Sequence, residues 1–139
     1  MTNDHAAKKP HLSYGIIGLG IALALAIGAS AAAQDYLSPV ALCANKDGSI
    51  VYVAEATAKQ IAVFDVAKNA VTGSISLPDP PSGLALSVDG SRLFVTGASP
   101  EGNVHVIDLA SLAVSKSIRV GHTPMSPVAH PDGKTLFVC

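Results

Sequence analysis

Five histidines, ten acidic residues and two cysteines are the groups in this 139-residue chain that could carry chemistry. Asp65 and Asp108 close two matching apolar runs, QIAVFD and NVHVID, 43 residues apart. Carboxylates so placed could act as general acid and base. They could equally cap the backbone of a turn, because an aspartate bonds main-chain amides two or three residues on. The common spacing favours the turn. Asp47, Asp89 and Asp132 each precede a glycine (Gly48, Gly90 and Gly133), and they read as turn residues by the same chemistry.

The histidines are scattered. His122 lies in Gly121-His122-Thr123-Pro124, and the matching link earlier in the chain is Pro78-Asp79-Pro80-Pro81. His122 and Asp79 are the two candidates for a ligand-facing surface; the plainer reading of His122 is a solvated loop residue. His105 lies inside an apolar run, opposite Ala62, and reads as packing. His130 precedes Pro131 at a turn, with Val88 and Lys46 as its expected counterparts. Three histidines with no carboxylate or cysteine partner do not make a metal site. Cys43 and Cys139 form neither CxxC nor CxxCH and are too few for a disulfide framework. Both read as small buried hydrophobes, too far apart to be bridged. No Gly-rich phosphate loop, GxSxG elbow or HExxH helix is present. No catalytic, cofactor-binding or metal residue is therefore assigned in this stretch.

The elements that hold these residues repeat. DGSIVYV, DGSRLFV and DGKTLFV begin at Asp47, Asp89 and Asp132, spaced 42 and 43 residues apart. VTGSISL and VSKSIRV begin at Val71 and Val114, again 43 apart. Ser38-Pro39, Ser82-Gly83 and Ser126-Pro127 suggest a further marker at a spacing of 44. Each repeat predicts four short strands. The first is apolar, Val40 to Ala44 or Leu84 to Val88. Asp-Gly then turns the chain, because glycine tolerates positive φ. The second strand alternates, with Val51 and Val53 on one side and Tyr52 on the other. Ile61 to Val66 or Val104 to Leu109 makes the third. Val71 to Leu77 or Val114 to Val120 makes the fourth.

A four-stranded unit of 40 to 45 residues is a β-propeller blade. Apolar residues on both sides of each strand fit a sheet covered by neighbours on both faces. The fold class is thus all-β, a propeller of four-stranded blades. Blade 1 spans about 38–81, blade 2 about 82–125 and a partial blade 3 about 126–139. About two and a third blades cannot close a ring, and Cys139 falls inside a strand. The expectation is a fragment of a longer protein, forming an open arc.

These repeats resemble the YVTN-type propeller family, close to the cytochrome-d1-like and surface-layer-like propellers. The resemblance rests on His130-Pro131-Asp132-Gly133-Lys134 with Leu136-Phe137-Val138, on Val104-His105-Val106-Ile107-Asp108, and on Val114 to Gly121. It covers Ser38 to Cys139. It implies about seven blades in a complete ring and a periplasmic or cell-surface setting.

The N-terminus agrees with that setting. Leu12 to Gln34 holds no charged residue, follows Lys8-Lys9, and ends in Ala31-Ala32-Ala33. Small residues at −3 and −1 fit signal peptidase, so 1–33 reads as a helical export signal cleaved after Ala33. Left uncleaved, its 22 residues from Leu12 to Ala33 would anchor the chain in a membrane. The chain's net charge is −1, and no Lys/Arg cluster follows Lys9, which excludes a nucleic-acid footprint. The function expected is an exported binding scaffold for a protein or glycan. The alternatives are the propeller part of a redox protein with a c-type cytochrome domain, and a lactonase-type propeller enzyme.

Overall fold

The computed structural model describes residues 36–139, and the expected export segment lies outside them. Ten strands among these residues form three antiparallel sheets, each a simple meander. The first sheet is β1 (Pro39–Ala44), β2 (Ile50–Glu55), β3 (Gln60–Asp65) and β4 (Ala70–Ser76). The second is β5 (Pro81–Leu86), β6 (Arg92–Gly97), β7 (Asn103–Asp108) and β8 (Ala113–Arg119). A third, two-stranded sheet pairs β9 (Val128–Ala129) with β10 (Leu136–Phe137).

Sequence chemistry explains the turns. At the β1–β2 corner Gly48 adopts φ 73° and donates its N–H to the Asn45 carbonyl at 3.1 Å. Gly90 and Gly133 repeat this with Ser87 and His130 at 2.9 and 3.1 Å. His130 therefore corresponds to Asn45 and Ser87, one place before the Lys46 and Val88 expected from the sequence. All three first residues of the turn offer a side-chain acceptor to a nearby backbone amide: Asn45 to Ile50, Ser87 to Arg92, His130 to Asp132.

Two further expectations are corrected by the ladders. Pro39 pairs with Glu55 and Pro81 with Gly97, so Pro39 corresponds to Pro81 and not to Gly83. The spacing of 44 at Ser38-Pro39 and Ser82-Gly83 is thus not a structural register. A bulge after Pro39 and after Pro81 shifts each strand locally. For the same reason the second sheet's first strand runs Pro81–Leu86, and Ser87 and Val88 belong to the turn.

The inner strands of successive sheets lie against one another, β5 on β1 and β2, and β9 on β5. The middle strands β2, β3, β6 and β7 carry the core; the outer strands β4 and β8 are mostly exposed. One apolar cluster joins the two four-stranded sheets, with Tyr52, Ile61, Val63 and Ile75 from the first and Leu93, Val95 and Ile107 from the second. Each such side chain stabilises the packed state by about 1.5–3 kcal/mol on burial. Among the described residues the sheets do not close on themselves.

Cys43 and Cys139 are both free. Cys43 is half-buried, and desolvation pushes its thiol up to about 11, while Cys139 is exposed. Because the thiolate is the reactive form, brief iodoacetamide treatment of the native chain at pH 8 is expected to alkylate Cys139 and spare Cys43. Peptide mass spectrometry reads this directly, and equal labelling of the two would contradict the packing of β1.

Candidate functional site

The five repeated aspartates sit at strand turns and hold backbone. Asp47 accepts from the Ser49 amide at 3.0 Å, and Asp89 from the Ser91 amide at 3.0 Å. Asp132 accepts from the Lys134 and Thr135 amides at 2.8 and 3.0 Å. Asp108 accepts from Ala110 and Ser111 at 3.0 and 2.9 Å. Asp65 accepts from the Lys68 amide at 3.0 Å and pairs with its ammonium at 2.6 Å.

Every one of these carboxyls is held below the ordinary value. The main cause is the Ser49 amide for Asp47, Lys68 for Asp65, the Ser87 hydroxyl for Asp89, the Ser111 amide for Asp108 and the Lys134 amide for Asp132. Asp89 falls to about 2. A carboxyl depressed in the folded state stabilises it above the unfolded value, about 3.9, and loses that contribution as pH falls through the folded value. The share of the urea midpoint that these carboxylates supply is therefore expected to hold down to about pH 5 and to be lost between about pH 4 and 2. Asp89→Asn should flatten that acid limb most among single substitutions. Parallel urea titrations of wild type and variant measure it, and identical limbs would count against the turn bonds.

The link residues gather at the opposite ends of the strands. Residues 77–80 join β4 to β5, and Asp79 among them reaches the end of the second sheet. Its Oδ2 accepts from Asn103 Nδ2 at 3.3 Å and lies 3.3 Å from His105 Nε2. Gly97, at the end of β6, is close by: a Cβ there would meet Asp79 Cβ at 3.0 Å. The β8–β9 link carries His122, which is exposed and whose Nδ1 lies 2.8 Å from the Thr123 hydroxyl. That link is anchored by the Val120 amide on the Gly102 carbonyl at 2.9 Å, and by Ser82 Oγ donating to the Pro124 carbonyl at 2.7 Å. In the first sheet the same edge holds Glu55, buried and bonded by Gln60 Nε2 at 2.6 Å.

Sequence reasoning singles out Asp79 on a link but gives no histidine a carboxylate partner. Two have one. His105 lies beside Asp79, and His130 Nδ1 lies 3.1 Å from Asp132 Oδ2 in the exposed turn. Among the described residues no three His, Cys, Asp or Glu side chains converge. A separate groove of about 1060 Å³ opens between the second sheet and the third hairpin. Phe94, Val106, Ile118, Leu136 and Val138 line it, and neither Asp79 nor His122 does.

No family model matches the chain. Among solved structures, hydrazine synthase of Kuenenia stuttgartiensis superposes with a TM-score of 0.71 at 27% identity, over 81% of this chain and 32% of that one. These sheets are propeller blades. A putative 6-phosphogluconolactonase from Bacteroides fragilis superposes with a TM-score of 0.66 at 18% identity, over 74% of this chain and 32% of that one. In sequence, Antigen Lp49 of Leptospira interrogans is 29% identical over an alignment 101 residues long that covers 63% of this chain and 22% of that protein. The chain spans less than a third of the length of each, at 22% or 32%.

Proposed function

We propose that the chain is an exported, YVTN-type propeller that acts as a periplasmic or cell-surface scaffold and binds a protein or glycan on its link face. The observation that carries this reading is the gathering of polar link residues at one edge of the blades. Asp79, partly buried, and His122, exposed, lie on consecutive links at the ends of ordered strands, and the repeated aspartates at the other edge are occupied with their own turns. Rigid sheets with short links give a preorganised surface at little ordering cost. The likeness to a protein named as an antigen supports an exposed location. The uncharged stretch from Leu12 to Gln34 supports export.

Fusion of the chain to alkaline phosphatase, which folds only outside the cytoplasm, tests export: activity is expected, and its loss on replacing Leu23 and Leu25 by arginine. Binding is tested with the full chain on an array of bacterial glycans and envelope proteins. Asp79→Ala with His122→Ala should remove the signal, and Asp47→Ala, at the other edge, should retain it. A signal indifferent to the link pair would overturn the reading.

A further inference from the structure

The second blade departs from the first at two adjoining positions. The ladders place Gly97 where the first blade has Glu55, and His105 where it has Ala62. One position loses its side chain and the other gains an imidazole. Asp79 enters the notch that this leaves over Gly97. The point where a Gly97 Cβ would stand is 3.2 Å from both Asp79 Oδ2 and His105 Nε2.

The histidine is 1% exposed. Its Nδ1 is satisfied by Ser117 Oγ at 2.8 Å, but its Nε2 has no hydrogen-bond partner although Asp79 Oδ2 is only 3.3 Å away. The ring axis at Nε2 does not line up with that oxygen. With the proton on Nδ1 and donated to Ser117, Nε2 turns a bare lone pair toward the neighbourhood of a carboxylate. In that tautomer the pair repels unless a cation lies between its members; in the other, Nε2–H faces Asp79 too far off line to donate to it, so the buried nitrogen is without a partner either way.

We propose that His105 Nε2 and Asp79 Oδ2 ligate a divalent transition-metal ion in the notch over Gly97. The spacing fits. With Zn–N at about 2.0–2.1 Å and Zn–O at about 2.0–2.2 Å, two ligands at the tetrahedral angle stand about 3.3–3.5 Å apart. Octahedral Mg²⁺ at about 2.1 Å would draw them to about 3.0 Å. An ion equidistant from both atoms lies off the line joining them, in keeping with the misaligned ring axis. Ser117 then fills the place that outer partners of ligating histidines take, accepting the other ring N–H and fixing the tautomer. Asn103 lies 3.3 Å from the same Oδ2, and a turn of its amide offers Oδ1 as a third ligand. Asp79 is 23% exposed, so the remaining positions open to water. Two or three protein ligands make a site of modest affinity, open to exchange.

The test is calorimetric titration of the full, chelator-treated chain with Zn²⁺ at pH 7.5. One ion per chain is expected, bound more weakly than a structural zinc held by four protein ligands. Asp79→Asn, isosteric and at a partly exposed position, should weaken binding about tenfold or more, and His105→Gln likewise. Gly97→Ala, whose methyl fills the notch, should do the same. His130→Ala should leave binding unchanged, since the His130–Asp132 turn is the rival pair. Circular dichroism checks the fold of each variant; if His105→Gln unfolds, Asp79→Asn decides. Zinc-edge X-ray absorption should show nitrogen and oxygen neighbours without sulfur. Absence of binding, sulfur ligation through Cys139, insensitivity to Asp79→Asn, or loss on His130→Ala would each overturn the proposal. None of these outcomes depends on the link face binding a glycan or protein, so the two readings fail separately.

Discussion

Gly102→Ala is expected to unseat the β8–β9 link and to destabilise the chain by about 3 kcal/mol or more. Gly102 lies between β6 and β7 at φ 53°, a conformation that costs a residue with a side chain roughly 1 kcal/mol. Space is the larger obstacle. A Cβ there would stand 1.3 Å from the Gly121 carbonyl oxygen, 2.5 Å from its carbon and 2.9 Å from Pro124 Cδ. No rotamer change relieves a clash with backbone, so the link itself must move. Movement breaks the Val120 amide bond to the Gly102 carbonyl and slackens the Thr123 amide bond to Ser99, at 2.9 and 3.3 Å. It also pulls Pro124 off Ser82. Urea unfolding gives the magnitude. Hydrogen exchange gives the location, with amides at 120 and 123 opening while those of β2 and β3 stay protected. A midpoint within experimental error of wild type would show that the link does not sit where it is described. His122 rides on this link, so the variant should also lose any ligand held by it.

Much of this fold is written locally. The Asp-Gly pairs fix three corners, because a glycine at positive φ and an aspartate accepting amides two residues on are properties of the dipeptide itself. The alternation of Val51, Tyr52 and Val53 fixes a strand for the same reason. The links are harder. Ser38-Pro39 and Ser82-Gly83 look like one marker, but Pro39 pairs at the level of Pro81, and a bulge that no local pattern announces separates the two readings. The pairing of Asp79 with His105 is out of reach of local pattern altogether, since it joins the link of one blade to the third strand of the next. A trace of it exists in the sequence. His105 stands where the earlier repeat has Ala62, and Gly97 stands where it has Glu55. A histidine gained beside a side chain lost is the kind of coupled departure from a repeat that points to a local contact. It becomes readable only once the strand register is known.

Leu93→Ala tests whether the two blades stand as one cooperative body. Leu93 is 0% exposed in β6 and belongs to the cluster that joins Ile107 and Val95 to Ile61, Tyr52 and Ile75 of the first blade. Removing its three outer carbons forfeits their burial and leaves a cavity that hydrogen-bonded sheets cannot collapse around, a loss of about 3 kcal/mol within the range of roughly 2–5 for such changes. Against a typical total of about 5–15 kcal/mol, that is a large share for a domain whose blades meet at one apolar seam. By contrast Leu42→Ala, at a side chain 70% exposed in β1, should change stability by no more than about 0.5 kcal/mol. The chain has three tyrosines and no tryptophan; Tyr52 is buried in the seam and Tyr36 is already 83% exposed, so the change in tyrosine fluorescence on unfolding follows Tyr52 of the first blade while the substitution is made in the second. If the seam carries the stability, tyrosine fluorescence and far-ultraviolet circular dichroism shift to the same lower urea midpoint. If the first blade holds its signal while the second melts, each sheet stands alone. The repeat would then be a string of independent units, and the ordering of Asp79 over the neighbouring blade would need a source other than the shared core.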